Sequence, residues 1–458
     1  MQIMENEDSV PEAVLHKKVL LPEEFINIED GRRVGGDIRI GDLSGDGRMD
    51  FLVYKSLGGI KPSFLGAFTL EGEVLWSLGD KEFCVQDADG DGMLETISPD
   101  RPGPVAIYDI DQDGRQEVIC FMVDPAVERS SKWDLAGVRL VILDGATGVV
   151  KHAAAPEELA RCSAYVDGEA HIPNYVHQRL MIANFSGHAG AQDLVVKVGN
   201  DILAFNHQLE VLWHYRNKEY RYPAHSAYIP AVGDLDGDGR DEVNGGHYGL
   251  DHDGSILWET FLGNNADSVL VEEWDGGHAA IISGSGQILN AEGKHLLHLG
   301  EELVPHGQEV RCGNFRHDLL GRELAIRHNG HNPDVMIVSC DGEVLCRFTV
   351  DESPNNTGME TICWDGVGQA DLLYSPAALY DGLGNKVVSF IELPAPTGGR
   401  MGWYHCFAAD LCGEGRDAVV LYDPYGDAVY VYAAVPLDPG QLDNYRHTAQ
   451  QYNARLMD

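Results

Sequence analysis

Apolar and polar residues alternate in short segments along the whole chain, and a Gly-containing or polar turn interrupts each segment. This period of two residues predicts antiparallel β-hairpins, since side chains on a strand point alternately to its two faces. LEGEVLWS and LDHDGSILWE are two examples. We find eight such hairpins, which begin at Leu70, Leu143, Phe205, Leu250, Leu289, Ser339, Leu379 and Tyr422.

A loop motif rich in acidic residues recurs ahead of the hairpins. Four copies, DLSGDGRMD, DADGDGMLE, DIDQDGRQE and DLDGDGRDE, place side-chain oxygens at positions 1, 3, 5 and 9 and glycine at position 6. Calcium takes about six to eight oxygen ligands from a tightly curved loop, and this spacing supplies most of them. The alternative is a metal-free Asp-Gly turn. The predicted metal ligands are Asp42, Ser44, Asp46, Asp50, Asp87, Asp89, Asp91, Glu95, Asp109, Asp111, Asp113, Glu117, Asp234, Asp236, Asp238 and Glu242.

The motif is followed by residues typical of β-strands, and its last acid stands at position 9. An EF-hand loop has its last acid at position 12 and is flanked by helices. Degenerate copies begin at Asn184, Glu272, Asn314, Cys363 and Asp410. Most markers lie about 40–50 residues apart, which is the length of one four-stranded blade. The sequence therefore predicts an all-β fold, a single β-propeller of about eight blades, with seven as the alternative. We place it at residues 36–433, after an N-terminal segment (1–35) and before a tail (434–458) that packs on it.

The charge and the composition narrow the functional classes. The chain carries 73 acidic and 33 basic residues, a formal charge of −40, which disfavours nucleic acid as a partner. There is no apolar stretch of roughly 18 residues and no apolar core near the N-terminus, so we expect neither a membrane span nor a signal peptide. The nine cysteines are scattered without a C-x-x-C pair. Together these features predict a cytoplasmic protein.

The stretch from Tyr222 to Val271, which contains HSAYIPAVGDLDGDGRDEVNGGHYGLDHDGSILWE, resembles the calcium-loop repeats of rhamnogalacturonan lyases of polysaccharide lyase family 11. It also resembles the broader integrin-type FG-GAP repeats, which serve adhesion. The first resemblance implies an eight-bladed propeller that binds Ca²⁺ and cleaves a polysaccharide. The sequence departs from those lyases after the hairpin, where it has Gly263-Asn264-Asn265-Ala266-Asp267 in place of a Gly-His-Gly-Asp-like stretch.

Polar residues recur just before or just after the markers, where a propeller chain would reach the mouth of its axial channel. For each residue alone, a structural role is the simpler interpretation; the set together indicates a ligand funnel. We assign candidate catalytic roles to His225, Tyr228, His306, Arg311, Arg327 and His405. The candidate substrate-binding residues are His177, His247, Tyr248, Asn264, Gln308, His331, Asn356, Trp403 and Tyr404.

These residue types suit the β-elimination of a uronide. Arginine can grip the carboxylate, and histidine or tyrosine can take the C5 proton or protonate the leaving O4. We therefore predict a lyase that acts on uronic-acid-containing oligosaccharides such as rhamnogalacturonan-like, ulvan-like or rhamnosyl-glucuronate chains. The alternatives are a non-catalytic carbohydrate-binding FG-GAP propeller and a glycoside hydrolase or epimerase that uses the same funnel. The sequence does not distinguish among the possible oligomeric states.

Overall fold

The hairpins predicted from the sequence form antiparallel sheets in a computed structural model of the protein. The structure describes residues 10–29, 32–34, 36–57, 61–79, 105–123, 138–162, 180–218, 226–227, 229–350, 358–375, 378–396 and 404–454. The chain begins with β1 (Glu12–Leu20), a 3-10 turn (Glu23–Phe25) and a two-stranded sheet of β2 (Asn27–Glu29) and β3 (Arg32–Val34).

Six sheets in the described residues have four antiparallel strands each, in chain order. The first three sheets contain β4 (Asp37–Gly41), β5 (Asp50–Leu57), β6 (Lys61–Thr69), β7 (Val74–Gly79); β8 (Val105–Tyr108), β9 (Glu117–Val123), β10 (Val138–Asp144), β11 (Val150–Ala154); and β12 (Leu180–Ala183), β13 (Asp193–Val198), β14 (Asp201–Asn206), β15 (Val211–Arg216). The next three contain β16 (Ala231–Gly233), β17 (Glu242–Asn244), β18 (Tyr248–Leu250), β19 (Ile256–Glu259); β20 (Val269–Trp274), β21 (Gly277–Ile282), β22 (Gln287–Leu289), β23 (His295–His298); and β24 (Glu309–Gly313), β25 (Glu323–Arg327), β26 (Asp334–Val338), β27 (Val344–Thr349).

A further sheet has eight strands and joins the two ends of the chain. It is built from β28 (Glu360–Ile362), β29 (Leu372–Ser375), β30 (Ala378–Tyr380), β31 (Lys386–Phe390), β32 (His405–Ala409), β33 (Ala418–Tyr422) and β34 (Ala428–Ala433), together with β1. β1 pairs antiparallel with β34 and, at its start, parallel with β31. The N-terminal segment thus supplies the fourth strand beside β32, β33 and β34. Two short helices, α1 (Glu157–Ala160) and α2 (Ala449–Tyr452), and a 3-10 turn (Leu442–Asn444) complete the fold.

The hydrophobic core is divided into clusters that lie between successive sheets. One of them, for example, packs Leu52 of β5 against Ile107 of β8 and Val141 of β10. Another joins the two ends of the array, with Ile38 and Phe51 packed against Val420. Because neighbouring sheets cover both faces, the first three strands are mostly buried, whereas fourth strands such as β15 contain mainly half-buried and exposed residues in alternation. The all-β, propeller-like arrangement predicted from the sequence is confirmed.

The first strands of successive sheets run side by side in the same direction. Their starts contact each other, as Asp37 contacts His405. At the opposite ends, the residue after one first strand contacts the residue before the second strand of the next sheet, as Asn314 contacts Asp371. The fold therefore has a strand-start face, formed by the residues that begin β4, β8, β12, β16, β20, β24, β28 and β32. It also has a loop face, formed by the loops that follow the same strands, including the predicted calcium loops.

Hydrogen bonds link neighbouring loops around the loop face. The carboxylates of Asp241, Asp371 and Asp417 each accept the backbone N–H at the start of the preceding loop, at distances of 2.7, 2.8 and 2.7 Å. The Gln116 amide oxygen does the same for the Asp42 N–H at 2.7 Å. Each of these four loops is thus tied to its neighbour by a side chain that lies just before the second strand of the next sheet.

The C-terminal segment (442–454) enters the space between the first strands from the loop face. His447 Nε2 donates to the Ile107 carbonyl oxygen at 2.8 Å, and Gln450 Nε2 donates to the Thr361 carbonyl oxygen at 2.7 Å. Asn453 pairs with both the N–H and the carbonyl oxygen of Ile182, at 2.8 and 2.9 Å. These partners lie on β8, β28 and β12, so the segment bridges first strands on different sides of the channel. We call residues 442–454 the plug.

No helix among the described residues is long and apolar enough to cross a membrane.

Candidate active site

Several predicted site residues come together on the strand-start face, because they directly precede or begin a first strand. His306 and Gln308 precede β24, Tyr404 precedes β32, and His405 begins it. Asn264 lies ahead of β20, and its Nδ2 donates to the Pro305 carbonyl oxygen at 3.2 Å, which brings it next to His306.

His306 forms a dyad with Asp267 across the boundary between two sheets. Its Nε2 lies 3.0 Å from Oδ2 of Asp267, whose side chain is only 4% exposed, while the His306 side chain is 33% exposed. In the neutral tautomer that donates Nε2–H to Asp267, Nδ1 carries a free lone pair. The His331 ring lies 6.3 Å from the His306 ring. The arrangement can therefore present one oriented basic nitrogen at a partly open surface.

A buried ion-pair network lies on the two strands that follow His306. Glu309 is 2% exposed, and its Oε1 lies 3.0 Å from Nη2 of Arg311 while its Oε2 lies 3.3 Å from Nη1 of Arg327. Glu309 Oε1 also accepts the Met359 backbone N–H at 2.6 Å. Two guanidinium groups thus contact the same carboxylate. Both predicted arginines are thus engaged with an acid and are not exposed at the surface.

Glu360 faces the same network from the next first strand. Its Oε1 accepts from Gln450 Nε2 of the plug at 2.9 Å and from the Thr361 N–H at 3.0 Å. Burial raises the pKa of Glu360, although the nearby Arg311 charge opposes the shift. The neutral form of this acid would leave the arginine charges less compensated.

His405 is fully buried at the junction between the last and the first sheet. Its Nδ1 lies 3.1 Å from Oδ1 of Asp37, and its Nε2 has no hydrogen-bond partner among the described residues. Tyr404 is 3% exposed; its hydroxyl donates to the Pro394 carbonyl oxygen at 3.1 Å, and burial raises its pKa. Their positions favour a role in closing the ring rather than direct contact with a substrate.

His247 and Tyr248 lie inside the fold, each only 1% exposed. The Tyr248 ring packs against Tyr215, 5.3 Å between centroids, and against Gly245, where a Cβ would lie 1.9 Å from the ring. His247 Nδ1 accepts the Leu262 N–H at 3.3 Å. Tyr248 therefore has no face open for stacking on a sugar. Gln308 is also buried, and its backbone N–H donates to the Arg327 carbonyl oxygen at 2.9 Å.

The other predicted residues lie outside the described part of the chain. They are His177, His225, Tyr228, Asn356 and Trp403 of the funnel and Asp87, Asp89, Asp91 and Glu95 of the second predicted calcium loop.

The three described acidic loops share one backbone shape. Glycine at position 6 has a positive φ in each, +83°, +88° and +87° at Gly47, Gly114 and Gly239, a conformation that side chains disfavour. In each loop, the carboxylate at position 1 accepts the N–H of that glycine at 3.0 Å. The predicted loop structure is thus present, and the side chains at positions 3, 5 and 9 decide whether a cation fits.

The loop from Asp234 to Glu242 fits a calcium ion. One oxygen from each of Asp234, Asp236 and Glu242 lies within 4.8 Å of the others. Glu242 is fully buried, and its Oε1 has no hydrogen-bond partner among the described residues. Burial raises the pKa of Glu242 to about 8. A bound cation would compensate this buried carboxylate. In the loop from Asp42, burial likewise raises the pKa of Asp50, to about 6.

The loop from Asp109 to Glu117 differs because a lysine occupies its centre. Lys151 Nζ lies 2.7 Å from Asp111 Oδ2, 2.7 Å from Glu117 Oε1 and 3.4 Å from Asp113 Oδ2. These are oxygens that a calcium ion would use, and one oxygen from each of Asp109, Asp111 and Glu117 lies within 4.8 Å of the others, as in the loop from Asp234. Lysine and calcium would therefore compete for the same oxygens.

Four residues of these sites were missed or left without a role by the sequence interpretation. Asp267 and Glu309 were visible only as acids outside the calcium motifs, and Asp37 and Lys151 carried no motif at all. A periodic signal did exist for Asp267 and Asp37, since both lie at or just before the start of a first strand. Their partners are 39 and 368 residues away, which no local pattern encodes.

No family model matches the chain. Among curated proteins, it is 26% identical over 275 residues to rhamnogalacturonan exolyase YesX from Bacillus subtilis (strain 168). That match covers 52% of this chain and 42% of the relative, so the match spans less than half of the relative's length.

Solved structures give the same indication for the fold. The rhamnogalacturonan lyase YesW superposes with a TM-score of 0.66 at 18% identity, over 92% of this chain and 76% of that one. A rhamnogalacturonan lyase of Bacillus licheniformis gives 0.63 at 16% identity, over 93% and 76%. The exotype lyase YesX gives 0.61 at 17% identity, over 92% and 76%. The chain is thus similar to rhamnogalacturonan lyases in sequence over half its length and in fold over nearly all of it, as the motif resemblance predicted.

Proposed function

We propose that this protein is a polysaccharide lyase that cleaves a rhamnogalacturonan-like, uronic-acid-containing glycan by β-elimination. The observation that carries the proposal is the His306–Asp267 dyad on the strand-start face, beside the Arg311–Glu309–Arg327 network. The similarity to rhamnogalacturonan lyases supports the choice of substrate.

The dyad suits the proton abstraction. In β-elimination the C5–H proton goes to a base, the C4–O4 bond breaks, and a C4=C5 double bond forms in the uronate. Asp267 holds Nε2–H of His306, so Nδ1 is the basic atom that would take the proton. The buried aspartate also stabilises the imidazolium that forms.

The arginine network suits the acidification of the substrate. The proton on C5 becomes more acidic when the neighbouring carboxylate is neutralised, and fixed positive charge in a poorly solvated site does this without reorganisation. Arg311 and Arg327 both contact Glu309, and Arg311 also lies near Glu360, whose pKa is raised by burial. Their roles are therefore electrostatic, since both guanidinium groups are buried.

The plug limits the approach of a substrate. It occupies the loop-face side of the channel through contacts with Ile107, Ile182 and Thr361. A glycan would therefore enter from the strand-start face, where the dyad lies.

We also infer that the sheets form eight blades. The support consists of six four-stranded sheets and two four-stranded halves of the eight-stranded sheet in the described residues, with apolar clusters between successive units.

We also propose that the loops from Asp42 and Asp234 bind structural calcium. Because calcium would then bind the folded state, its removal by a chelator should lower Tm by mass action. A cytoplasmic location remains our proposal from the scattered cysteines.

The test is incubation with rhamnogalacturonan oligosaccharides while the ultraviolet absorbance of unsaturated uronate is followed. A lyase produces this chromophore. Hydrolysis gives new reducing ends without it, and a carbohydrate-binding propeller gives neither but retains the oligosaccharide; either result would refute the proposal. The matched control is His298→Ala, which removes an exposed histidine from the outer strand β23 and should leave the rate unchanged.

A further inference from the structure

We infer that the loop from Asp109 to Glu117 binds no calcium, because the ammonium group of Lys151 is its permanent cation. The inference rests on the proposal that the loops from Asp42 and Asp234 bind calcium. It divides repeats that have the same ligand pattern into two kinds, one that needs a metal and one that carries its own positive charge.

The carboxylate at position 9 shows the difference most directly. In both loops, one of its oxygens accepts the N–H of the residue at position 2: Glu117 Oε2 from Ile110 at 3.1 Å, and Glu242 Oε2 from Leu235 at 2.7 Å. The second oxygen of Glu117 lies 2.7 Å from Lys151 Nζ. The second oxygen of Glu242 is buried and has no hydrogen-bond partner among the described residues. The same buried oxygen is thus neutralised by lysine in one loop and left for a cation in the other.

The lysine is placed by a feature that recurs in the repeats. In seven units of the described residues, the fourth strand has a register shift that skips one residue near its start. The skipped residue is apolar in six of them: Leu75, Leu212, Leu257, Leu296, Leu345 and Val387.

Lys151 is the skipped residue of the remaining unit. Leu75 and Leu257 are its counterparts in the units with the loops from Asp42 and Asp234, and neither can donate a hydrogen bond. A single substitution at this one position therefore changes which cation a loop uses.

Charge and geometry make the two cations mutually exclusive. A calcium ion requires about six to eight oxygens at roughly 2.3–2.6 Å. Lys151 Nζ already lies within 3.4 Å of oxygens from Asp111, Asp113 and Glu117. An ammonium group and a divalent ion at the same oxygens would repel each other strongly. Lys151 also lies on β11, a strand of the same sheet, so its ammonium group is present at any calcium concentration in solution.

The experiment is a calcium count per chain by elemental analysis after equilibration with calcium, with the metal alone as the probe. Asp111→Asn should leave the wild-type count unchanged, whereas the matched change Asp236→Asn in the other loop should lower it by one. Lys151→Met, which keeps the aliphatic length and removes the charge, should raise the count by one. Lys151→Arg keeps the charge and should leave the count unchanged.

Thermal melts give a second readout. In chelator, Lys151→Met should lower Tm by about 2–4 °C, because three acids lose their cation, and calcium should restore Tm. A calcium count that is lower by one in the Asp111→Asn variant than in wild type would overturn the inference. So would a Lys151→Met protein with an unchanged count and an unchanged melt.

A wild-type protein without any calcium would refute calcium at the loops from Asp42 and Asp234. It would not decide the role of the lysine. In that case the double variant Lys151→Met/Asp111→Asn decides the role of the lysine. Its Tm in chelator should lie above that of Lys151→Met alone, because the second change removes one of the acids that lost its cation. A double variant whose losses in Tm simply add would overturn the inference.

Discussion

Removal of the Asn453 side chain should destabilise the protein strongly, because this side chain joins the plug to a first strand. The inner edge of a first strand exposes backbone N–H and C=O groups that no further strand can pair. Asn453 satisfies both groups of Ile182, with Oδ1 2.8 Å from the N–H and Nδ2 2.9 Å from the carbonyl oxygen. Asn453→Ala removes both hydrogen bonds at once.

The expected magnitude follows from these two groups. A buried backbone group that loses its partner costs about 1–3 kcal/mol, and water that enters the channel will recover part of this. We therefore expect a loss of about 2–4 kcal/mol in the free energy of unfolding. Asn453→Asp should be no better than the alanine variant, because a carboxylate accepts the N–H but repels the carbonyl oxygen.

The assay is equilibrium unfolding in denaturant, together with hydrogen exchange of the segment 180–183. Exchange in this segment should accelerate in the variant, since the Ile182 N–H loses its acceptor. The matched control is Asn444→Ala, which removes an exposed plug amide whose side-chain hydrogen bonds among the described residues go to the neighbouring Gln441 carbonyl oxygen and Asp443 carboxylate. An Asn453→Ala protein within about 0.5 kcal/mol of wild type, with unchanged exchange, would show that the plug does not stabilise the first strands.

Three further predictions concern the dyad, the arginine network and a buried acid. His306→Ala should lower kcat by about 10²–10⁴-fold, and Asp267→Asn by less, as measured by the unsaturated-uronate absorbance; full activity in His306→Ala would exclude it as the base. Arg327→Met should cost about 3–5 kcal/mol in denaturant unfolding, because Glu309 loses a buried partner, and an unchanged stability would argue against the network. Burial raises the pKa of Asp417 to about 7, so its contribution to stability is present below the unfolded pKa near 4 and is lost as the pH rises through 7. Asp417→Asn, which can still accept the Cys363 N–H, should therefore gain about 2 kcal/mol relative to wild type between pH 5 and 8, and parallel stability curves for the two proteins would contradict this.

The repeats show how much of the fold a local pattern can predict. The hairpins that begin at Leu70 and Leu250 were predicted from alternating apolar and polar residues on either side of a glycine turn. Both form in the structure, as β6–β7 and β18–β19. The glycine at position 6 of each described loop has the positive φ that its position in the motif suggested. Such features depend only on residues within one repeat, so they can be predicted without knowing how the repeats pack against each other.

The candidate site was predicted only in part, because the sequence supplied residue types and phase but no partners. His306, Arg311 and Arg327 were identified by their position next to a marker, and they do lie together at the start of one sheet. Their burial and their common partner Glu309 were not predictable, since both depend on the sheets at either side. Tyr248 carried the same signal as His306 and lies in the core, as the neighbouring sheet covers it.

The sequence by itself determined the repeating unit: its four strands, its turn chemistry and the oxygen pattern of its loops. Only the tertiary structure decided what joins the units. It placed β1 beside β34, the plug against Ile182, Asp267 against His306 and Lys151 inside an acidic loop. Each of these contacts joins residues far apart in the chain, and its free energy comes from burial and from hydrogen bonds that exist only once the sheets have closed around the channel. The local pattern of one repeat contains no information about that closure, which is why loops with the same oxygen pattern differ in the side chains that reach them, as Lys151 reaches only one of the described loops.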